Sequence, residues 1–138
     1  MASKATGERD LRSAQQRNET RVRAAREHVY ATGLSREQAA QRVGVTPNQI
    51  THLLEDGALL ALDGPAGLRL PAWQFDPEAG CGRLEGISSV AAAFPGRLLA
   101  LSSWMVAPNA SLDGRTPSQA LLDGDVELVT AIANHHST

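Results

Sequence analysis

LSREQAAQRVGVTPNQITHLLEDGALLAL, from Leu34 to Leu62, carries two short helices and the turn between them. Ser35 stands before the first helix with Gln38 three residues on, so each side chain can bond the other's backbone. Ala39, Ala40 and Val43 give that helix a small-residue inner face. Gly44 follows, where the chain needs a left-handed turn. Thr46 then caps a second helix, Pro47 takes its first position and Gln49 closes the box. Ile50, Leu53 and Leu54 fall at helical spacing and face inward, and Gly57 ends the helix. Ser35 to Asp56 is therefore a helix-turn-helix pattern. After it, ALLAL, DGPAG and LRL are two apolar runs joined by a Gly/Pro turn, which predicts a small β-hairpin. Pro71 stops the hairpin, and Trp73 and Phe75 follow as packing anchors.

Upstream, Glu8 to Ala31 predicts one polar helix free of Gly and Pro. Its apolar stripe is thin (Leu11, Ala14, Val22, Ala25 and Val29), and Asn18 interrupts it, which argues against a stable coiled coil. Arginines at 9, 12, 17, 21, 23 and 26 point in several directions. A solvated helix explains them ahead of a packing helix or a basic strap along phosphates.

Downstream, Asp76 to Gly86 is rich in Gly, Pro and acid and reads as a linker. Helices are expected over Ile87 to Phe94 and Leu98 to Val106, the second with Leu98, Leu101, Met105 and Trp104 toward the core. Thr116, Pro117 and Gln119 repeat the cap, proline and box pattern for a short helix with Leu121 and Leu122 inside. Gly124 breaks it, and Asp125 is expected to cap a last helix through Ile132.

The 138 residues allow one or two small domains, and with only 4% aromatic residues the core is built from Ala, Leu and Val. The net charge of −2 gives no global nucleic-acid signal. Its distribution is uneven: +3 over residues 1–34, −1 over 35–75 and −4 over 76–138. Opposite charge at the two ends suggests different partners for each, against ordinary surface solvation. Cys81 is the only cysteine, which excludes an internal disulfide framework. MASKATGERD has no apolar leader core, and the run Val90 to Val106 is broken by Pro95, Gly96 and Arg97, so a cytoplasmic protein with no membrane partner is expected.

Nothing assembles a reaction centre. His135-His136 lacks a third ligand nearby, and a frayed end explains the pair better than a metal site. His28 and His52 are isolated, and Cys81 has no local base. Ser88-Ser89 and Ser102-Ser103 lack a GxSxG setting, and AGCGRLEG lacks a phosphate-loop lysine. No catalytic residue, metal site or cofactor is expected, and the chain is not read as an enzyme.

Two resemblances carry the functional expectation. The segment from Leu34 through LRLPAWQF resembles the winged helix-turn-helix of excisionase- and MerR-like DNA-binding domains. That resemblance implies that the second helix enters the major groove. Its outward residues Asn48, Gln49, Thr51 and His52 would then face bases, with Arg36 and Arg42 toward the backbone and Arg69 on the wing. The helix departs from a strong DNA binder in having no Lys or Arg and ending in Glu55-Asp56.

WMVAPNASLDGRTPSQALLDGDVELVTAI, Trp104 to Ile132, sits in a segment (residues 86–138) that resembles the toxin-binding domain of the Xre/MbcA/ParS antitoxins, partners of RES-domain toxins. The matching residues include Trp104, Pro108-Asn109, Gly114-Arg115, Thr116-Pro117 and Gly124. Asp113-Gly114 allows a tight reversal, and Arg115 can tie Asp123, Asp125 or a partner's acid. Pro108, Gly114, Thr116, Pro117 and Gly124 would shape the surface rather than touch a partner.

The expectation is a mainly α protein. It has a basic N-terminal helix (1–34), a winged helix-turn-helix-like module (35–75), a linker (76–85) and a helical toxin-binding module (86–138). The resemblances imply a type II antitoxin that covers the active site of a NAD-consuming RES-domain toxin through Arg115, Asp123, Asp125, Glu127, Asn134, His135 and His136. It would also repress its operon by binding operator DNA, as a homodimer within a toxin–antitoxin hetero-oligomer. The competing readings are a stand-alone winged helix-turn-helix regulator with a C-terminal dimerisation module, and an adaptor that binds only proteins.

Overall fold

Three helices begin on the reciprocal caps that their sequences mark. Ser35 Oγ accepts from the Gln38 amide while the Ser35 amide donates to Gln38 Oε1, at 3.2 and 2.8 Å. Thr46 with Gln49 and Thr116 with Gln119 form the same pair of bonds. A computed structural model describes residues 2–136, and side chains from Leu11 onward. The side chain of Arg9 and the last two residues of the expected 86–138 module lie outside the described residues.

The described chain is mainly helical: α1 Ala2–Thr32, α2 Arg36–Val43, α3 Pro47–Glu55, α4 Ile87–Ala93, α5 Leu98–Met105, α6 Pro117–Leu122 and α7 Val126–Asn134. Strands β1 Leu62–Gly64 and β2 Gly67–Arg69 form an antiparallel hairpin, with Leu62 opposite Arg69 and Gly64 opposite Gly67. Single 3-10 turns stand at Ala72–Gln74 and Ala110–Leu112. Among the described residues no helix is long and apolar enough to cross a membrane.

The hairpin is shorter than its apolar runs suggest. The segment 58–61 does not pair as a strand; its Leu60 peptide is bonded instead by the side chain of Gln74. Gln74 is fully buried, its Oε1 accepting from Leu60 N at 2.6 Å and its Nε2 donating to Leu60 O at 2.9 Å and Pro71 O at 3.1 Å. The amide thus does for Leu60 what a neighbouring strand would do.

The stretch expected as a linker is folded into the body. The Asp76 amide donates to Gly82 O, Leu84 N to Gln74 O, and Phe75 bridges Arg83. Leu84 is buried, and a Cβ on Gly82 would stand 2.6 Å from the Arg42 carbonyl oxygen at the end of α2. One hydrophobic core runs from Leu34, Ile50, Leu59 and Leu70 through Leu84 and Ile87 to Met105, Val129 and Ala133. Trp73 Nε1 donates to the buried Ser102 Oγ of α5 at 3.0 Å, a second tie across the expected boundary. The glycines and prolines of 76–85 mark tight turns over a core (an acidic, turn-rich composition describes exposed turns as well as it describes a tether).

In the C-terminal half α7 packs chiefly on α4 and also on α6. Gly86 makes the α4–α7 approach close: its φ is 87°, and a Cβ there would meet Val126 Cγ1 at 2.6 Å. On the other side α1 leans on α5. Val29 is buried, whereas Leu11 and Val22 are 66% and 39% exposed, so the thin stripe finds core only in the last turns. Tyr30 Oη donates to Asp63 O at 2.9 Å and ties α1 to the hairpin.

Candidate functional site

Two surfaces collect the residues that the sequence singles out. The first is the helix-turn-helix with its wing. Gly44 takes the left-handed conformation expected between α2 and α3. Ala39, Ala40 and Ile50 are buried, and Leu53 and Leu54 are half-buried against the same core. That packing turns Asn48, Gln49 and His52 to solvent. His52 Nδ1 lies 3.5 Å from Glu55 Oε2, both side chains well exposed. Thr51 is half-buried, and its hydroxyl donates to Pro47 O at 3.3 Å.

Gln49 is exposed but occupied: its Oε1 accepts from the Thr46 amide at 2.8 Å. Two-point reading of an adenine uses both amide atoms, so Gln49 would have to break its cap to do it. Asn48 is under no such constraint from the capping box. Arg42 is exposed at the end of α2. Arg36 is half-buried, with its Nε enclosed and without a hydrogen-bond partner. Arg69, at the end of β2, is half-buried and donates from Nη1 to Leu68 O at 2.8 Å.

The second surface is the loop 109–115 with the helices around it. Asn109 Oδ1 accepts from the Ser111 amide at 2.9 Å, and its carbonyl accepts from Leu112 and Gly114. The Asn109 amide closes the loop on Arg115 O at 3.0 Å. The reversal runs through Asp113 and Gly114, both left-handed at φ 57° and 87°. Aspartate tolerates this region better than most residues. Leu112 is buried beneath the loop. From it Arg115 reaches both expected carboxylates, Nη1 lying 2.8 Å from Asp123 Oδ2 and 2.9 Å from Asp125 Oδ2. Hydrogen bonds to Asp123 and then Asp125 raise the guanidinium pKa above its ordinary value.

Of the two roles expected of Asp125, the tie to Arg115 forms and the cap of α7 does not. Asp125 stands at the start of α7, but its side chain makes no cap bond there. Its carboxylate is drawn to Arg115, because an ion can satisfy it better than a backbone amide. Asp123 and Asp125 remain partly exposed, at 55% and 43%. The cluster therefore presents two carboxylates to one guanidinium, a local surplus of negative charge. Glu127 is exposed in the first turn of α7.

Trp104, Asn109 and Ser111 line an open cleft of about 440 Å³ with Ile132, His135 and His136. His136 is not a loose end: its ring stacks on buried Phe94 at 5.1 Å and lies 5.8 Å from Trp104. Asn134 is exposed beside it. Sequence reasoning found Trp104 and the two histidines separately and missed Phe94, whose apolar character and position before Pro95 were the only signals. Cys81 is exposed, its thiol 3.5 Å from Arg83 O.

No family model matches the chain, and no curated protein does. The fold is similar to that of the NMR structure of Rv2175c, at 19% sequence identity and a TM-score of 0.58, over 77% of this chain and 81% of that one.

Proposed function

We propose that this chain is a type II antitoxin that neutralises a NAD-consuming RES-domain toxin through its C-terminal surface and binds operator DNA through α3 and the wing. The observation that carries the reading is the loop 109–115. Asn109, Gly114 and Arg115 are among the residues on which the antitoxin resemblance rests, and the loop closes into a hydrogen-bonded turn braced by Arg115 between Asp123 and Asp125. A surface built before the partner arrives pays little ordering entropy on binding.

Charge supports the choice of partner. A toxin that takes NAD must hold a pyrophosphate, so the entrance to its cleft is basic. Residues 76–138 carry a net charge of −4, the complementary sign. Asp123, Asp125 and Glu127 supply the attraction, Arg115 holds the first two in place, and Asn134, His135 and His136 extend the contact along the Trp104 cleft. Capping the entrance would exclude NAD without any chemistry by this chain. Homodimerisation within the complex is part of the same proposal, as is repression of its own operon.

The test is charge reversal at a position that does not brace the loop. Glu127→Lys is expected to weaken binding of the purified full chain to the neighbouring gene's toxin at least tenfold, mostly through faster dissociation and slower encounter. Unchanged affinity would remove the electrostatic account.

The stand-alone regulator stays in view for one reason. The C-terminal helices share a core with the wing module, as a part that only stabilises or dimerises a DNA-binding unit would.

A further inference from the structure

The recognition helix α3 has no Lys or Arg, and its end is acidic. The protein's positive surplus lies on residues 1–34, at +3, while the remaining segments sum to −5. In sequence the arginines of α1 point around the whole helix. The contacts of α1 sort them into two faces. Tyr30 marks the face turned to the wing, since its hydroxyl bonds Asp63 O and its ring lies against Gly64. Arg26 and Arg23 stand one and two turns before Tyr30 on that face, and Arg12 stands five turns before it. All three are exposed. Arg21 lies on the other side, where it lines a groove with Leu99, Ala100 and Trp104 of α5, and Arg17 is one turn from it.

We propose that the wing-side face of α1, through Arg12, Arg23 and Arg26 with Arg69 at its foot, binds the phosphate backbone of duplex DNA. Arg69 belongs to this strip by position: its Cβ is 3.3 Å from where a Cβ on Gly33 would stand, at the end of α1. Arg12 and Arg26 are about 21 Å apart along the helix, at ~1.5 Å per residue. One DNA strand covers that distance in about six steps of ~3.4 Å. Arginine suits the task because its guanidinium meets phosphate oxygens in pairs. Glu19 and Glu27 lie on the same face, Glu27 one turn after Arg23, and they lower the strip to a net +2 with Arg69 counted, without closing it. The division of labour is then plain: α3 and Asn48 discriminate, and α1 supplies the attraction that α3 lacks.

This inference rests on the DNA-binding part of the proposed function, and the experiment separates the two. The full chain is titrated against a fluorescein-labelled mixed-sequence DNA duplex of about two helical turns, by anisotropy, across a salt series. The triple variant R12Q/R23Q/R26Q is compared with R17Q/R21Q on the opposite face, and circular dichroism checks that helix content is kept. Three lost phosphate contacts should flatten the slope of log affinity against log salt by about 2.7 per bound chain. Between roughly 50 and 200 mM salt the parent chain should then lose about 40-fold more affinity than the triple variant. R17Q/R21Q should keep the parent slope. A parent slope in the triple variant, or an equal loss in R17Q/R21Q, would overturn the phosphate strip and leave DNA binding by α3 standing. No binding by the parent chain at low salt would overturn both.

Discussion

Replacing Gln74 by methionine should weaken the whole fold, although both side chains fill similar volumes. Gln74 is 0% exposed, and its amide makes three hydrogen bonds, two of them to the peptide of Leu60 and one to Pro71 O. A thioether in its place would make none. Pro71 O would keep the long bond from the residue-74 amide at 3.4 Å, so the loss falls on the Leu60 N–H and C=O. A buried polar group left without a partner costs about 1–3 kcal/mol. Leu60 is half-buried, so water can recover part of that, and a total of about 2–4 kcal/mol is expected for the two groups. Against a domain stability of roughly 5–15 kcal/mol the change is large. Urea denaturation followed by far-UV circular dichroism reads it as a lower midpoint. The two tryptophans report from the two halves, Trp73 beside Gln74 and Trp104 in α5. In the parent protein their fluorescence should fall with the circular dichroism in one transition, because one core joins the halves. A Gln74→Met protein within about 1 kcal/mol of the parent would mean that the Leu60 peptide does not depend on the Gln74 amide. Separate transitions in the parent chain would mean that no single core joins the halves.

Gly86→Ala combines a left-handed backbone cost with a 2.6 Å approach to Val126 Cγ1, and should lose about 2–4 kcal/mol in thermal or urea unfolding. Adding Val126→Ala should return only the contact part; full recovery would mean that the backbone at φ 87° carries no strain. Thr116→Ala removes one acceptor from the capping box of α6 and should cost about 1 kcal/mol, with faster hydrogen exchange at the Gln119 amide. Arg115→Gln leaves two carboxylates without their shared cation, and should lower toxin affinity at least tenfold while the salt slope for DNA stays unchanged.

What was legible in the sequence follows the range of the interactions. Ser35/Gln38, Thr46/Gln49 and Thr116/Gln119 are contacts three residues apart, so residue type alone predicts their caps, and all three form. The left-handed Gly44 and the Asp113-Gly114 reversal are equally local. Asp125 was offered two roles by the sequence, and the longer-range one prevails: the tie to Arg115 ten residues away forms, and the local cap of α7 does not. Gln74 gave no pattern at all, since its partner Leu60 lies fourteen residues back. The packing of 76–85 was hidden for the same reason: its partners are the end of α2 and the Gln74 carbonyl. On α1 the helix was legible, but the sorting of its arginines needed the Tyr30 contact with the hairpin. That shared core also bears on experiment. Cutting the chain at Phe75 would expose Leu84, Ile87 and their neighbours to water, so point variants of the full chain are the sound way to assign function.

The most direct measurement is growth and cellular NAD in cells that express the product of the adjacent open reading frame, with and without this chain. The account predicts that the neighbour alone depletes NAD and stops growth. It predicts that the parent chain restores both and purifies as a complex with the neighbour, and that the folded Arg115→Gln protein restores them poorly. A neighbour without toxicity, or a toxic neighbour that this chain neither binds nor relieves, would contradict it.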